Sequence, residues 1–566
     1  MRSLKLEISA IISLASGIRA EEVSSMLTTP PKADMGDFAF PCFKFAKENG
    51  VSPKEAAQQL CNKIQGNIKE HVLVETVHPE GPYVNIVLNR KETYTRYKEY
   101  FKYLSGKSFK RDRANKTVVI DYSSPNIAKP LAFHHIRSAV IGNIIGNIFE
   151  TAGYSVVRIN YLGDWGTQFG KLITAFEKYG DEEKLQKEGI RHLLDIYVQY
   201  HKEENTELNT LAKEWFKRME LSDPKALDYW DKFREISIKE FDRVYKRLGV
   251  VFTHTEGESF YKTPEAVIAS IHDKIGTVVS EGAVIVDLSK YDMPPVLLEK
   301  TDGTKLYATR DIAAAIDRQK RFVFDESLYV VGNQQELHFK QLFKVLELMG
   351  LDWFSKCKHV QFGLLHLADS KMSTREGKVI FLDEVLDKSV ELAVKAIEEK
   401  NPALSNKAEV AEAVGVGAII FGDIVKRRTQ DITFKWEEIL NFDGETAPYV
   451  QYTHARAGSI LRKADFIQSI NVETDYEPNE AEFELIKLFC SFDDKIDEAK
   501  KEHEPFIIAR YVLDVARSFN RFYYQEKIID VDDKVAKNEK LFIVYSIKEL
   551  LKQNLVILGI RAPERM

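Results

Sequence analysis

The segment NIAKPLAFHHIRS, Asn126 to Ser138, places one amine, Lys129, and two imidazoles, His134 and His135, in a turn that leads into a helical run. Such side chains at a helix start suit phosphate, because the first backbone N–H groups of a helix have no internal partner and point outward. A phosphate-cradling turn ordinarily carries glycine where His134 stands, since only glycine lets a ligand lie against bare backbone. The turn is therefore expected to hold a nucleotide in an altered way.

The flanking elements place this turn. TVVIDYS (Thr117 to Ser123) reads as a β-branched strand and SPNIAKP (Ser124 to Pro130) as a turn with two prolines. Ile136, Val140, Ile141, Ile144, Ile145 and Ile148 recur at helical spacing, and the small residues Ser138, Ala139, Gly142 and Gly146 would let that helix approach a sheet closely. YSVVRINYL (Tyr154 to Leu162) is a second strand. The result is a right-handed βαβ unit with the turn at the carboxyl end of its first strand, where open α/β sheets bind ligands. The expected fold class is α/β: a Rossmann-like parallel-sheet catalytic domain with an N-terminal α+β domain and a C-terminal all-helical domain.

The chain divides accordingly into residues 1–110, 111–385 with a helical insertion over about 171–282, a helical connection 386–440, and a helical module 441–566. Within the first unit, Tyr83 to Leu88 is a strand. Strand signals resume after the insertion at Ala283 to Leu288, Asp302-Gly303 marks a hairpin between VLLEK and KLYAT, and Tyr329 to Gln334 is a further strand.

A chain of 566 residues with 44% hydrophobic and 29% charged composition is an ordinary multidomain globular protein. Its net charge of −6 gives no global attraction for polyanions, although Lys98 to Lys116 and Lys426 to Arg428 are locally basic. Each basic run alone reads as a solvated face. The four cysteines form no CxxC pair, so neither a zinc site nor a disulfide framework is suggested, and no metal ligand is assigned. No run approaches the length of a membrane span, and residues 1–30 lack a signal-peptide core. A cytoplasmic protein without membrane contact, monomeric in solution, is expected.

A second segment, DSKMSTREGK (Asp369 to Lys378), completes a pattern. With the turn at Ala132 to His135 it resembles the HIGH and KMSKS halves of a class I aminoacyl-tRNA synthetase nucleotide site. IDYSSPNIAKP, GDWGTQFG, YATRD, NQQELH and APYVQYTHAR stand in order along the chain and narrow the resemblance to the arginyl-tRNA synthetase family over its whole length. The resemblance implies ATP as a substrate, with Mg²⁺ riding on it, and L-arginine and arginine tRNA as partners. It implies arginyl-adenylate formation followed by transfer to tRNA. The catalytic residues implied are Lys129, His135, Lys371 and Lys378, and the nucleotide would meet Ala132, His134, Met372 and Ser373 besides.

Selecting a guanidinium, which is planar and permanently charged, calls for carboxylates and neutral acceptors in fixed positions. The matching positions hold Asp121, Ser124, Asn126, Tyr307, Asp311 and Gln335. Singly, each is as well explained as a helix cap or surface group; jointly they point to an arginine pocket. For tRNA the resemblance implies an anticodon module containing Tyr449, Arg456, Arg517 and Arg521, and an N-terminal platform in which Tyr83 and Asn85, two apart, face outward while Val84 and Ile86 face the core.

The motifs also depart from the family. The first histidine of HIGH is Ala132, its glycine is His134, and Thr374 replaces the second lysine of KMSKS, with Lys378 four residues on as the compensating cation. A catalytically impaired tRNA-binding or regulatory paralogue is the alternative these changes leave open.

Overall fold

The structure, a computed structural model, describes residues 3–66, 72–261, 264–301, 303–367, 380–467 and 475–566. Lys371, Met372, Ser373 and Lys378 lie outside the described residues, as does Asp302 of the expected hairpin.

In the N-terminal unit, strands β1 (Phe38–Pro41), β2 (Val74–Glu80) and β3 (Tyr83–Leu88) form an antiparallel sheet in the order β1-β3-β2. Tyr83 is exposed, but Asn85 is only 2% exposed, against the expectation that both face outward. The reason is position: β3 is the central strand, Asn85 lies between Ala39 of β1 and His78 of β2, and both faces of the sheet are covered from Val84 to Ile86. Alternation signals an open face only where that face meets water.

The central sheet is five-stranded and parallel. Its strands are β4 (Thr117–Asp121), β5 (Ser155–Leu162), β6 (His254–Gly257) and two that follow later in the chain. Between lie β7 (Val278–Ser280), β8 (Ala283–Val286) and β9 (Val296–Glu299), a separate antiparallel sheet. Then come β10 (Glu326–Tyr329) and β11 (Cys357–His359), giving the order β11-β10-β4-β5-β6. The strand expected at Ala283 to Leu288 thus belongs to the small sheet. β6 had no readable signal, because its residues His-Thr-Glu-Gly carry no apolar alternation. It also ends the helical excursion early: the helices run from Thr167 to Leu248 and the chain returns to the sheet inside the expected 171–282 insertion. The expected return strand KLYAT makes only a single bridge, Lys305 to Glu299, before a helix starts at Tyr307.

Helix Ile136–Thr151 covers one face of the sheet, and its glycines are there for contact. A Cβ on Gly142 would lie 2.3 Å from the Tyr122 side chain, and one on Gly146 would lie 2.8 Å from the Arg158 guanidinium. Ser138 fixes the helix to both neighbouring strand exits, donating from Oγ to the Val330 carbonyl at 2.7 Å and accepting from the Ser123 N–H at 2.8 Å. The opposite face packs Val119, Ile159 and Tyr329 against helices Tyr307–Phe322 and Glu336–Leu348 through Ile312, Ala315 and Phe339.

Neither basic run is a free patch. Lys98 is buried against Glu539 at 2.8 Å, and Arg111 bridges Asp493 and Asp497 at 2.8 and 2.9 Å. Arg427 pairs with Glu502, while Arg428 donates to the carbonyls of Gln361 and His503. These charges join parts of the chain far apart in sequence. Helix Arg90–Gly106 is held among the C-terminal helices by Tyr97 and Phe101, whose rings lie 5.1 and 5.3 Å from Phe489 and Phe542 respectively.

The deepest such link is Arg137, 1% exposed, which pairs through Nε with Asp423 at 2.8 Å and donates to the carbonyls of Gly363, Gln430 and Arg428. It clamps helix Ile136–Thr151 to helix Lys407–Ile424 and to the approach of β12 (Leu365–Leu367) and β13 (Ile432–Phe434), a parallel pair. Removing one partner of a buried pair strands the other charge, so Asp423→Ala is expected to lower stability by about 3–5 kcal/mol in urea unfolding. Retention of wild-type stability would show that the carbonyls alone satisfy Arg137.

Candidate active site

The site lies at the carboxyl ends of β4, β10 and β5. The turn after β4 is tightly wound: Ser123, Ser124 and Ala128 all adopt positive φ, at 70°, 49° and 64°. Non-glycine residues are held there only when their surroundings compel it, and such strain clusters at ligand sites. Here the Ser124 N–H meets Asn160 Oδ1, and the Ala128 N–H meets Ser237 Oγ at 2.8 Å. Asn126 bridges to Gly163 of GDWG, where any side chain would strike Asn126 Oδ1, since a Cβ would lie 2.0 Å from it. That contact accounts for the glycine. Asp164 of the same motif is fully buried, accepting from the N–H and hydroxyl of Ser259 and from Arg234, and is therefore structural.

His135 ends the one-turn helix Phe133–His135 and folds back, so that its Nδ1 accepts the Ala132 N–H at 2.9 Å. The same Nδ1 lies 3.2 Å from the Ala132 carbonyl, so Ala132 fixes the ring orientation in either tautomer. Burial, helped by His134 beside it, lowers the imidazole pKa to about 4, so the ring is neutral at physiological pH. His134 is exposed and its ring lies 4.2 Å from that of His135. Lys129 extends over the Tyr197 ring at 4.9 Å. Leu131 to Phe133 pair antiparallel with Ile380 to Leu382, so the chain leaving the KMS-containing segment is bonded directly to the His135 turn.

The second group lines the face under helix Tyr307–Phe322. Asp311 accepts from His338 Nε2 at 2.7 Å, and the His338 ring lies 5.0 Å from that of Tyr307. Gln335 is exposed one residue before the helix that carries His338. Asp121, 6% exposed, accepts the Ser124 hydroxyl at 2.8 Å and pairs with Arg318 Nη2 at 2.8 Å. Burial nonetheless raises its pKa. Asp121 stands at the carboxyl end of β4 beside the strand-exit turn, and its charge is met by the guanidinium of Arg318. Sequence reasoning overlooked both Arg318 and His338. The signal for Arg318 was its spacing, seven residues after Asp311 and so on the same helix face; His338 lay inside NQQELH.

Away from this cleft, the Arg456 guanidinium sits among Tyr452, Tyr523 and Tyr524 at 4.9, 5.1 and 5.6 Å and donates to Asn520. It borders an open pocket of about 480 Å³ with Lys463 and Lys527. Arg521 is exposed, Arg517 is tied to Glu445 at 2.6 Å, and Tyr449 is half-buried against the core.

A parallel sheet with a nucleotide-type turn, the chain just after a second motif bonded to that turn and a helical carboxyl-terminal module is the arrangement of a class I tRNA synthetase. Residues 102–436 match the family model "tRNA synthetases class I (R), catalytic domain", residues 450–566 the "DALR anticodon binding domain" and residues 2–88 the "Arginyl tRNA synthetase N terminal domain". The chain belongs to the arginyl-tRNA synthetase family. It is 44% identical over 562 residues to an arginine–tRNA ligase of Halothermothrix orenii, with 97% of each chain covered. It is 43% identical over 573 residues to one of Clostridium botulinum, covering 99% of this chain and 100% of that one. The fold is that of the Thermus thermophilus arginyl-tRNA synthetase, with a TM-score of 0.82 at 24% identity over the full length of both chains.

Proposed function

We propose that this chain is an active arginine–tRNA ligase. The arginine carboxylate attacks the α-phosphorus of ATP, the bond to the bridging oxygen breaks, and pyrophosphate leaves. A ribose hydroxyl of the terminal tRNA adenosine then attacks the acyl carbon and AMP departs. Mg²⁺ enters as part of the ATP substrate. The observation that carries the reading is His135, whose ring Ala132 locks beside the strand-exit turn, because a phosphoryl transfer needs positioned polar groups more than covalent help.

Lys129 and His135 supply cationic and neutral donors to the phosphates, with Lys371 and Lys378 joining from the segment that ends at the pairing with Leu131 to Phe133. Ala132, His134, Met372 and Ser373 border the nucleotide. Asp311, Tyr307 and Gln335 take the guanidinium side, and Asp121, Ser124 and Asn126 the strand-exit side. Unpaired acceptors in such a pocket reject neutral side chains without a separate editing step.

The helical module takes the anticodon through Arg456 and its three tyrosines, with Tyr449, Arg517 and Arg521 around them. Bases splayed from a loop stack on such rings. The N-terminal platform offers Tyr83 at its edge and the buried Asn85, whose Oδ1 has no partner among the described residues. The domain limits 1–110, 111–385, 386–440 and 441–566, a monomeric state and a cytoplasmic location belong to the same reading. Among the described residues no helix is long and apolar enough to cross a membrane.

Arginine-dependent pyrophosphate exchange tests the reading. Because the family resemblance implies that tRNA takes part in activation, exchange is expected near background until arginine tRNA is added, and robust afterwards. No exchange with tRNA present would favour the impaired paralogue.

A further inference from the structure

Tyr161, near the carboxyl end of β5, shares a sheet face with Asp121. Asp121 pairs with Ile159, and Tyr161 follows two residues later, paired with Glu256 of β6. Helix Tyr307–Phe322 lies over this face and carries Asp311 and Arg318, two turns apart. The Arg318 guanidinium lies 5.1 Å from the Tyr161 ring centre while ion-paired to Asp121.

The Tyr161 hydroxyl oxygen is closed off from solvent and has no hydrogen-bond partner among the described residues. Buried hydroxyls ordinarily find one, because an unpaired hydroxyl forfeits its bonds to water. The charged groups facing it are Asp311, Glu258, Arg318 and Asp121. Each of these already has a partner: Asp121 takes Arg318, Glu258 takes Arg310 at 3.1 Å, and Asp311 takes His338. Two phenol oxygens beside Arg318 are left over as neutral acceptors, those of Tyr161 and Tyr329, and of the two it is Tyr161 that faces Asp311, the carboxylate proposed to meet arginine.

We infer that Tyr161 is a specificity-determining residue whose hydroxyl accepts an N–H of the substrate guanidinium while Asp311 supplies the opposing charge. The inference rests on the arginine site proposed above. A planar guanidinium can engage a carboxylate and a hydroxyl together through its fixed fork of donors, whereas the compact ammonium of lysine presents no such fork. The unpartnered hydroxyl is then a feature of the free enzyme that substrate completes.

Tyr161→Phe removes one oxygen and keeps the ring. On the full chain, calorimetric Kd for L-arginine is expected to rise about tenfold, equivalent to ~1.4 kcal/mol. The KM for arginine should rise in parallel, with kcat and the KM for ATP within about twofold and Tm no lower than wild type, since the free protein loses no bond. An unchanged Kd overturns the inference, and an unchanged Kd with a lowered Tm assigns the hydroxyl a structural role. Binding requires no turnover. A wild-type chain that binds arginine but never activates it would therefore count against the ligase reading, while the Kd comparison still decides Tyr161.

Discussion

Replacing His135 with alanine is expected to lower kcat for arginine activation by about 10²–10³-fold, the cost of deleting one positioned donor to charge that develops in a transition state. The ring is prepared for that role. Ala132 holds Nδ1 through its N–H and carbonyl, so the ring orientation is fixed, and burial keeps the imidazole neutral, with its pKa lowered to about 4. No acid limb from this group should therefore enter the activity profile between about pH 6 and 9. The sign for stability follows from the same shift. Between its unfolded value near 6.5 and about 4 the unfolded chain binds a proton here that the folded chain does not, so this group's contribution falls as pH is lowered through that window. His134→Gly provides the contrast: the His134 ring is exposed and only lies against its neighbour, so activation is expected within about threefold of wild type by pyrophosphate exchange with tRNA. A hundredfold loss on that change would make His134 part of the working site.

Asp311→Asn is expected to lower kcat/KM for arginine on the order of 10²-fold, chiefly through KM, with the KM for ATP nearly unaffected. Among the pocket's carboxylates it has the least committed charge. Asp121 is met by Arg318, a permanent cation, whereas Asp311 is met by His338, a histidine that need not be charged. Asp121→Asn should act differently, since it would strand the fully buried Arg318, and a fall in Tm larger than the change in arginine KM is expected. If Asp311→Asn impaired ATP binding and spared arginine, the division of the cleft into a phosphate side and a guanidinium side would be wrong.

Some of this was legible in the residues themselves. The β4, helix and β5 unit could be read because its signals are local: β-branched runs of strand length, a helical apolar period and a turn marked by two prolines. The same holds for Tyr307 and Asp311, since four-residue spacing on one helix needs no tertiary information. The family resemblance likewise rests on blocks continuous in sequence.

What could not be read depends on partners distant in the chain. β6 is a strand only because β5 offers it an edge, and Asn85 is buried only because the rest of the fold covers the sheet face it stands on. The charges of Lys98 and Arg111 look like part of a solvated basic face until Glu539, Asp493 and Asp497 arrive from the carboxyl-terminal helices more than 380 residues away. Arg318 against Asp121, His338 against Asp311 and the unpartnered Tyr161 hydroxyl are decided at the same level. Composition and periodicity determine which side chains are available and on which local face they stand. Whether a charge is spent on the fold or left for a substrate depends on which opposite group packing brings within about 3 Å, and a burial large enough to make that choice costly exists only in the folded chain.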